Sequence, residues 1–224
     1  MYQVTERTKV RRLPERASYD PAVVHAILDE GFVCHVGFMV DGQPYVVPTG
    51  YARDGETLYL HGSTGSRLGL RPGMQVCVTV TLLDGLVLAR SAFHHSMNYR
   101  SVTVLGRTRP VTDPQAKEAA LRAFVEHVVP GRSDEVRGGD RKELAATVVL
   151  ALPLEEVSAK VRSGPPKDEE EDYALPMWAG VLPLALTPGE PEPDPLLDPA
   201  RPVPAHVVGW SRPGRRRAPG RPAG

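Results

Sequence analysis

The most informative run in the sequence is Leu58 to Arg67, LYLHGSTGSR. An apolar stretch ends in His61, and a turn of small and hydroxyl residues (Gly62, Ser63, Thr64, Gly65, Ser66) leads into Arg67. Small residues let backbone N–H groups approach an anion, hydroxyls add hydrogen bonds, and an arginine fork matches two phosphate oxygens. Taken alone, the run reads as an ordinary Gly/Ser loop or as a phosphate cradle. His61 stands directly before it, and its imidazole can change protonation near neutral pH. It could donate to a bound ring or hold a small carboxylate.

Other chemically capable residues are weaker signals. His94 and His95 are adjacent, so on a strand they point to opposite faces and cannot share one metal ion without a bulge. No carboxylate lies nearby at ligand spacing, and no metal site is expected. They read as hydrogen-bonded structural histidines, or one of them as a proton donor or substrate anchor. Arg90, Arg107 and Arg109 fit phosphate ligands or solvated charges alike. Cys34 and Cys77 lie in apolar stretches without zinc or redox spacing, and read as buried thiols.

Composition bounds the partners. Lys plus Arg and Asp plus Glu are 27 each in 224 residues, so no global field draws the chain to nucleic acid or an anionic membrane. The charged N-terminus MYQVTERTKVRRLPER is followed by no apolar run of signal-peptide length, and no run reaches the roughly 18 residues that span a bilayer. A cytoplasmic location is expected.

The elements that must position these residues follow from punctuation and period. Asp20-Pro21 opens a helix through Val23, Val24, Ile27 and Leu28 that stops at Gly31. Asp41-Gly42 and Asp54-Gly55 separate β-rich runs at 32–40, 45–52 and 57–60, the pattern of hairpins. Runs 74–83 and 86–92 flank Asp84-Gly85, and 101–109 adds a further strand before Pro110. A helix over about 113–129, a helical turn near Arg141 and strands at 147–152 and 157–162 complete the domain. The fold class is mainly β with flanking helices, a closed or partly open antiparallel barrel of about six strands, and no GxGxxG opens a helix after a strand. Residues 1–15 read as a flexible arm, 16–186 as the domain, and 187–224 as a disordered tail. That tail holds ten of the 23 prolines, an acidic stretch, then an arginine stretch including Arg215-Arg216-Arg217.

These runs carry a resemblance. The strand ending in HGS with a following S-R, together with VPTGYARDG, VCVTVTLLDGLVLARSAFHHSMNYRSVTVLG and YALPMWAGVLPL, resembles the pyridoxamine-phosphate-oxidase-like split barrels, in particular the branch close to the Nim-type nitroimidazole-resistance proteins. The resemblance spans about residues 16–184. It implies a six-stranded antiparallel split β-barrel that binds FMN at a homodimer interface. Ser63, Ser66 and Arg67 would hold the phosphate, with His61 and Gly62 beside the ribityl chain. Pro48, Thr49 and Tyr51 would lie under the ring edge. Asn98, Tyr99, Arg100 and Ser101 would contact flavin from the second subunit, and Trp178 would stack on the ring or sit in an interface. The pyridoxal-phosphate-binding residues of true oxidases have no evident counterparts, so vitamin oxidation is not implied.

The functional expectation is an FMN-dependent oxidoreductase acting on a small oxidised or nitro-type substrate, with His61 as the proton donor. A non-catalytic flavin carrier or sensor, and a barrel holding haem or a deazaflavin, are the alternatives. Haem would need His61, His94 or His95 as its axial ligand.

Overall fold

A computed structural model describes residues 1–64 and 72–212. In chain order these form β1 (Ala17–Ser18), α1 (Pro21–Glu30), β2 (Val33–Val40), β3 (Gln43–Asp54), β4 (Thr57–Ser63), β5 (Gln75–Leu88), β6 (Ser96–Arg107) and β7 (Arg109–Pro110). There follow α2 (Pro114–Val128), α3 (Arg141–Ala146), β8 (Thr147–Pro153), β9 (Glu156–Arg162), β10 (Gly180–Pro183) and α4 (Ala205–Val208). Every strand pairing is antiparallel, in the order β1-β9-β6-β5-β2-β3-β4-β8-β7, with β10 on β5. The split-barrel class expected from sequence is thus present, laid out as an open sheet of ten strands.

Local chemistry explains the boundaries. Asp20 accepts from the Ala22 amide and Pro21 occupies the first turn of α1. Asp113 and Pro114 do the same for α2, and Asp140 with Glu143 forms a capping box on α3. At ten residues α1 is too short to stand alone. It is held by Val24, Ile27 and Leu28, each 1% exposed or less, against Tyr51, Val36, Val78 and Val80. Burial contributes about 1.5–3 kcal/mol per such side chain, well above what helix propensity supplies.

Two of the three Asp-Gly pairs turn the chain. Gly42 and Gly55 have φ of 80° and 53°, the left-handed values their hairpins demand. The third does not: β5 runs unbroken through Asp84-Gly85, with a bulge in its pairing to β6 between Leu83 and Gly85. Gly85 is needed there for space, because a Cβ would lie 3.0 Å from the Leu182 carbonyl of β10. The expected break between two strands is therefore one long bulged strand.

The end of α1 carries a buried charge network. Glu30 is 2% exposed and receives a two-pronged bond from Arg100 of β6, which also grips Asp84 of β5 with Nε and Nη2, both at 2.8 Å. The two carboxylates hold the guanidinium pKa above its ordinary value.

Residues 1–15 and the described part of the C-terminal segment both make contacts with the domain. The Tyr2 amide donates to the Tyr19 carbonyl and its hydroxyl to Glu56 at 2.6 Å; Arg7 pairs with Glu156, and Thr8 is buried. In the C-terminal segment the Trp210 indole N–H donates to the Val128 carbonyl at 2.8 Å, and Arg212 Nε–H to the Glu30 carbonyl at 2.8 Å. Val128 and Glu30 are the last residues of α2 and α1, where carbonyls have no partner within the helix. Two long side chains thus cap two helices, which proline content could not reveal. Arg215, Arg216 and Arg217 lie outside the described residues.

Two outcomes are expected in urea unfolding. Arg100→Ala leaves Glu30 and Asp84 without their shared cation and lowers stability by about 3–5 kcal/mol, whereas Arg212→Ala costs no more than about 2 kcal/mol. Equal losses in the two variants would mean that Arg100 is not the centre of the network.

Candidate functional site

Register divides the nominated residues between two faces of the sheet. On β3, Tyr45, Val47, Thr49 and Tyr51 share one face, and Pro44, Val46, Pro48 and Gly50 the other. Tyr51 is 1% exposed and its hydroxyl donates to the Leu28 carbonyl at 2.5 Å. It is a core residue, not one lying under a ring edge, and burial raises its pKa above the ordinary phenol value. Thr49, opposite Cys34, also points inward, so Pro48 is the member of this trio on the outer face.

The β6 group divides likewise. Asn98 is buried, donates to the Gly164 carbonyl at 3.2 Å and accepts from Arg162. Arg100 is committed to Glu30 and Asp84. Both have structural work inside the domain, so direct flavin contacts are not where their polar atoms are directed. Tyr99 and Ser101 face outward, with Ser101 opposite Thr81 and Lys160.

The outer face holds an arrangement that sequence reading missed. Pairing places Pro48, His35, Thr79, Thr103 and Ser158 in one row across β3, β2, β5, β6 and β9, with Thr81, Ser101 and Lys160 alongside. Hydroxyls, an imidazole and an ammonium on one flat face can hydrogen-bond a polyhydroxylated or phosphorylated ligand. The signal was present in VCVTVTLL and SVTV, where a threonine at every second position opposes a buried valine.

The cradle strand is next to β3. Tyr51 pairs with Leu60, and His61, Gly62 and Ser63 continue β4 along β8. The Thr64 amide donates to the Ala146 carbonyl at 3.0 Å. The His61 ring is exposed on one side, packs edge-on against Phe124 at 4.3 Å, and this partial desolvation lowers its pKa. Ser66 and Arg67, the rest of the phosphate cradle expected from sequence, lie outside the described residues.

A third cluster forms where β5 leads into β6. A 3-10 turn, Ala92–His94, carries His94, and His95 follows as its C-cap. His95 Nδ1 lies 2.9 Å from the Ser91 carbonyl, which can only accept, so the proton is on Nδ1 and the Nε2 lone pair is available. His94 faces Glu169 at 3.3 Å. Asp168, its side chain fully shielded, accepts from the Arg90 amide at 2.9 Å and its guanidinium at 3.0 Å, and Arg90 stacks on Tyr173. Arg90 Nε and Ser91 Oγ are buried without a partner among the described residues. Phe93 is 90% exposed, and Trp178, against Gly180 at the start of β10, is 68% exposed. Among the described residues no three His, Cys, Asp or Glu side chains group as a metal site, and no helix is long and apolar enough to cross a membrane.

A family model described as pyridoxamine 5'-phosphate oxidase matches residues 20–161, from the N-cap of α1 to the end of β9. The chain belongs to that family. Among solved structures, this oxidase-family member is similar to the flavocytochrome Anf3 from Azotobacter vinelandii, with 44% identity and TM-score 0.85, covering 92% of this chain and 97% of that one. It is also similar to the FAD and haem binding protein from Mycobacterium smegmatis, with 39% identity, TM-score 0.84, and 88% and 98% covered. A protein assigned to 5-nitroimidazole antibiotic resistance from Bacteroides thetaiotaomicron shares the fold, at 24% identity and TM-score 0.54 over 65% of this chain. No curated protein sequence matches the chain.

Partial desolvation lowers the pKa of His61, and burial that of His127, whose Nε2 also meets the Gly31 carbonyl at 2.6 Å. The unfolded chain therefore takes up these protons first as pH falls below the ordinary value of 6.5. Stability should fall between about pH 7 and pH 5. A His127→Gln variant, followed by urea unfolding across that range, should show a shallower decline; a decline as steep as the parent's would assign the effect elsewhere.

Proposed function

We propose that this chain is a flavin- and haem-binding redox protein that works as a homodimer, an oxidoreductase for a small oxidised substrate. The observation that supports it most is the similarity to a flavocytochrome and to an FAD and haem binding protein over shares of this chain that require the match to run past the barrel into the C-terminal segment. FMN, the flavin expected from sequence, fits the same kind of cradle. FAD is the preferred form because the M. smegmatis relative binds it.

The residues present suit both groups. Ser63 ends β4 and Thr64 follows it, adding hydroxyls beside small neighbours, and the outer row of Thr79, Thr81, Thr103 and Lys160 offers donors to ribityl and phosphate oxygens. The orphaned donors Arg90 Nε and Ser91 Oγ lie at the base of the histidine turn, and buried donors without partners are rare in finished structures. A carboxylate or phosphate seated there would complete them. His95 has its Nδ1 proton tied to a backbone carbonyl, which leaves Nε2 to ligate iron, and His61, whose pKa partial desolvation lowers, is the second candidate. When bound, flavin supplies hydride and single-electron transfer and haem supplies one-electron transfer. The chain would orient these groups, the exposed Phe93, Tyr173 and Trp178 would cover their apolar surface, and His61 could hold a proton beside them. The exposed Val33, Met39 and Val46 beside the outer row are the apolar surface a second subunit would cover.

The purified protein should show flavin absorption together with a Soret band, and the flavin released on denaturation should elute as FAD. His95→Ala should lose or shift the Soret band while keeping flavin, with His61→Ala and His94→Ala as the comparison set. Flavin without haem in every preparation, with no turnover of any reductant, would replace this reading by that of a flavin carrier.

A further inference from the structure

The C-terminal segment borders an apolar cavity away from the hydroxyl row and the histidine turn. Phe32, Val128, Leu186, Pro188, Pro191 and Trp210 are among the residues lining a cavity of about 350 Å³ between the end of α2 and the returning chain. Its wall is almost wholly hydrocarbon, for a reason written in the sequence: prolines carry no amide hydrogen, so a Pro-rich segment can form a wall without donors. The one polar atom of Trp210 is already spent on the Val128 carbonyl. Phe32 and Trp210 stand 5.6 Å apart with their rings tilted by 39°, forming an aromatic corner. Val128 and Leu186 are 49% and 54% exposed, large apolar side chains left uncovered beside it.

We propose that this cavity binds a neutral aromatic molecule of two or three rings. Size sets the upper bound, since an apolar cavity of about 150 Å³ already accepts benzene. Chemistry excludes charge: Arg212 lies outside the lining and is occupied by Glu30 and by the face of Phe32. The rest of this chain is a poor occupant, because residues 213–224 hold four arginines and no apolar side chain larger than proline. The Trp210 and Arg212 contacts hold the covering segment in place, so the site exists only while both helix ends are capped.

The test is equilibrium dialysis of the full-length, cofactor-loaded protein against N-phenyl-1-naphthylamine, with the bound probe quantified by chromatography so that cofactor absorption does not interfere. One saturable site per chain is expected, uncontested by the anionic 8-anilino-1-naphthalenesulfonate. Leu186→Trp, which fills the space, and Pro188→Glu, which places a carboxylate in the wall, should each weaken binding at least tenfold. Val4→Thr, at an exposed position in the N-terminal arm, should leave it unchanged, as should flavin and haem content in all variants. Absence of saturable uptake, uptake indifferent to both cavity variants, or equal competition by the anion would overturn the proposal.

Discussion

The buried carboxylate of Glu30 is the constraint around which this molecule is arranged. A charge removed from water must be matched at close range, and here Arg100 matches it while also holding Asp84. One guanidinium thereby ties the end of α1 to β5 and β6 at the point where β5 bulges. Arg212 approaches the same carboxylate at 3.7 Å and caps the Glu30 carbonyl, so the network also fixes the C-terminal segment. Such a network contributes less to net stability than to geometry. Its members cannot shift without stranding a charge.

That geometry separates the two faces of the sheet. Inward, Val36, Val78, Val80, Val102 and Val104 pack with Tyr51 beneath α1. Outward, the positions between them carry hydroxyls and His35 in a continuous row. A pleated strand alternates its side chains, so a single register decides which residues form the core and which meet a ligand. Bulging at Leu83 and Gly85 lets β5 accept β10 on its far end, beside the turn that carries His94 and His95.

The C-terminal segment adds a layer to the barrel. Trp210 and Arg212 reach carbonyls that helices leave unpaired, and this brings a proline-rich stretch back over α2.

The long strands and the helices α1 and α2 were legible in the sequence, because Asp-Gly turns, proline-opened helices and period-two valines act over a few residues; the short β1, β7, β10 and α4 were not. Family membership was legible too, carried by long runs such as VCVTVTLLDGLVLARSAFHHSMNYRSVTVLG. The allocation of residues to faces was not: Tyr51 and Arg100 read as flavin contacts, yet one is core and the other holds Glu30. Asp84-Gly85 has the composition of a turn, but the close pass of β10, about a hundred residues away in the chain, makes it a bulge. Local patterns fix local conformation because their interactions span one turn or one pleat. Pairings between distant residues, such as Arg212 with Glu30, depend on where the whole chain has already folded, and no short window contains them.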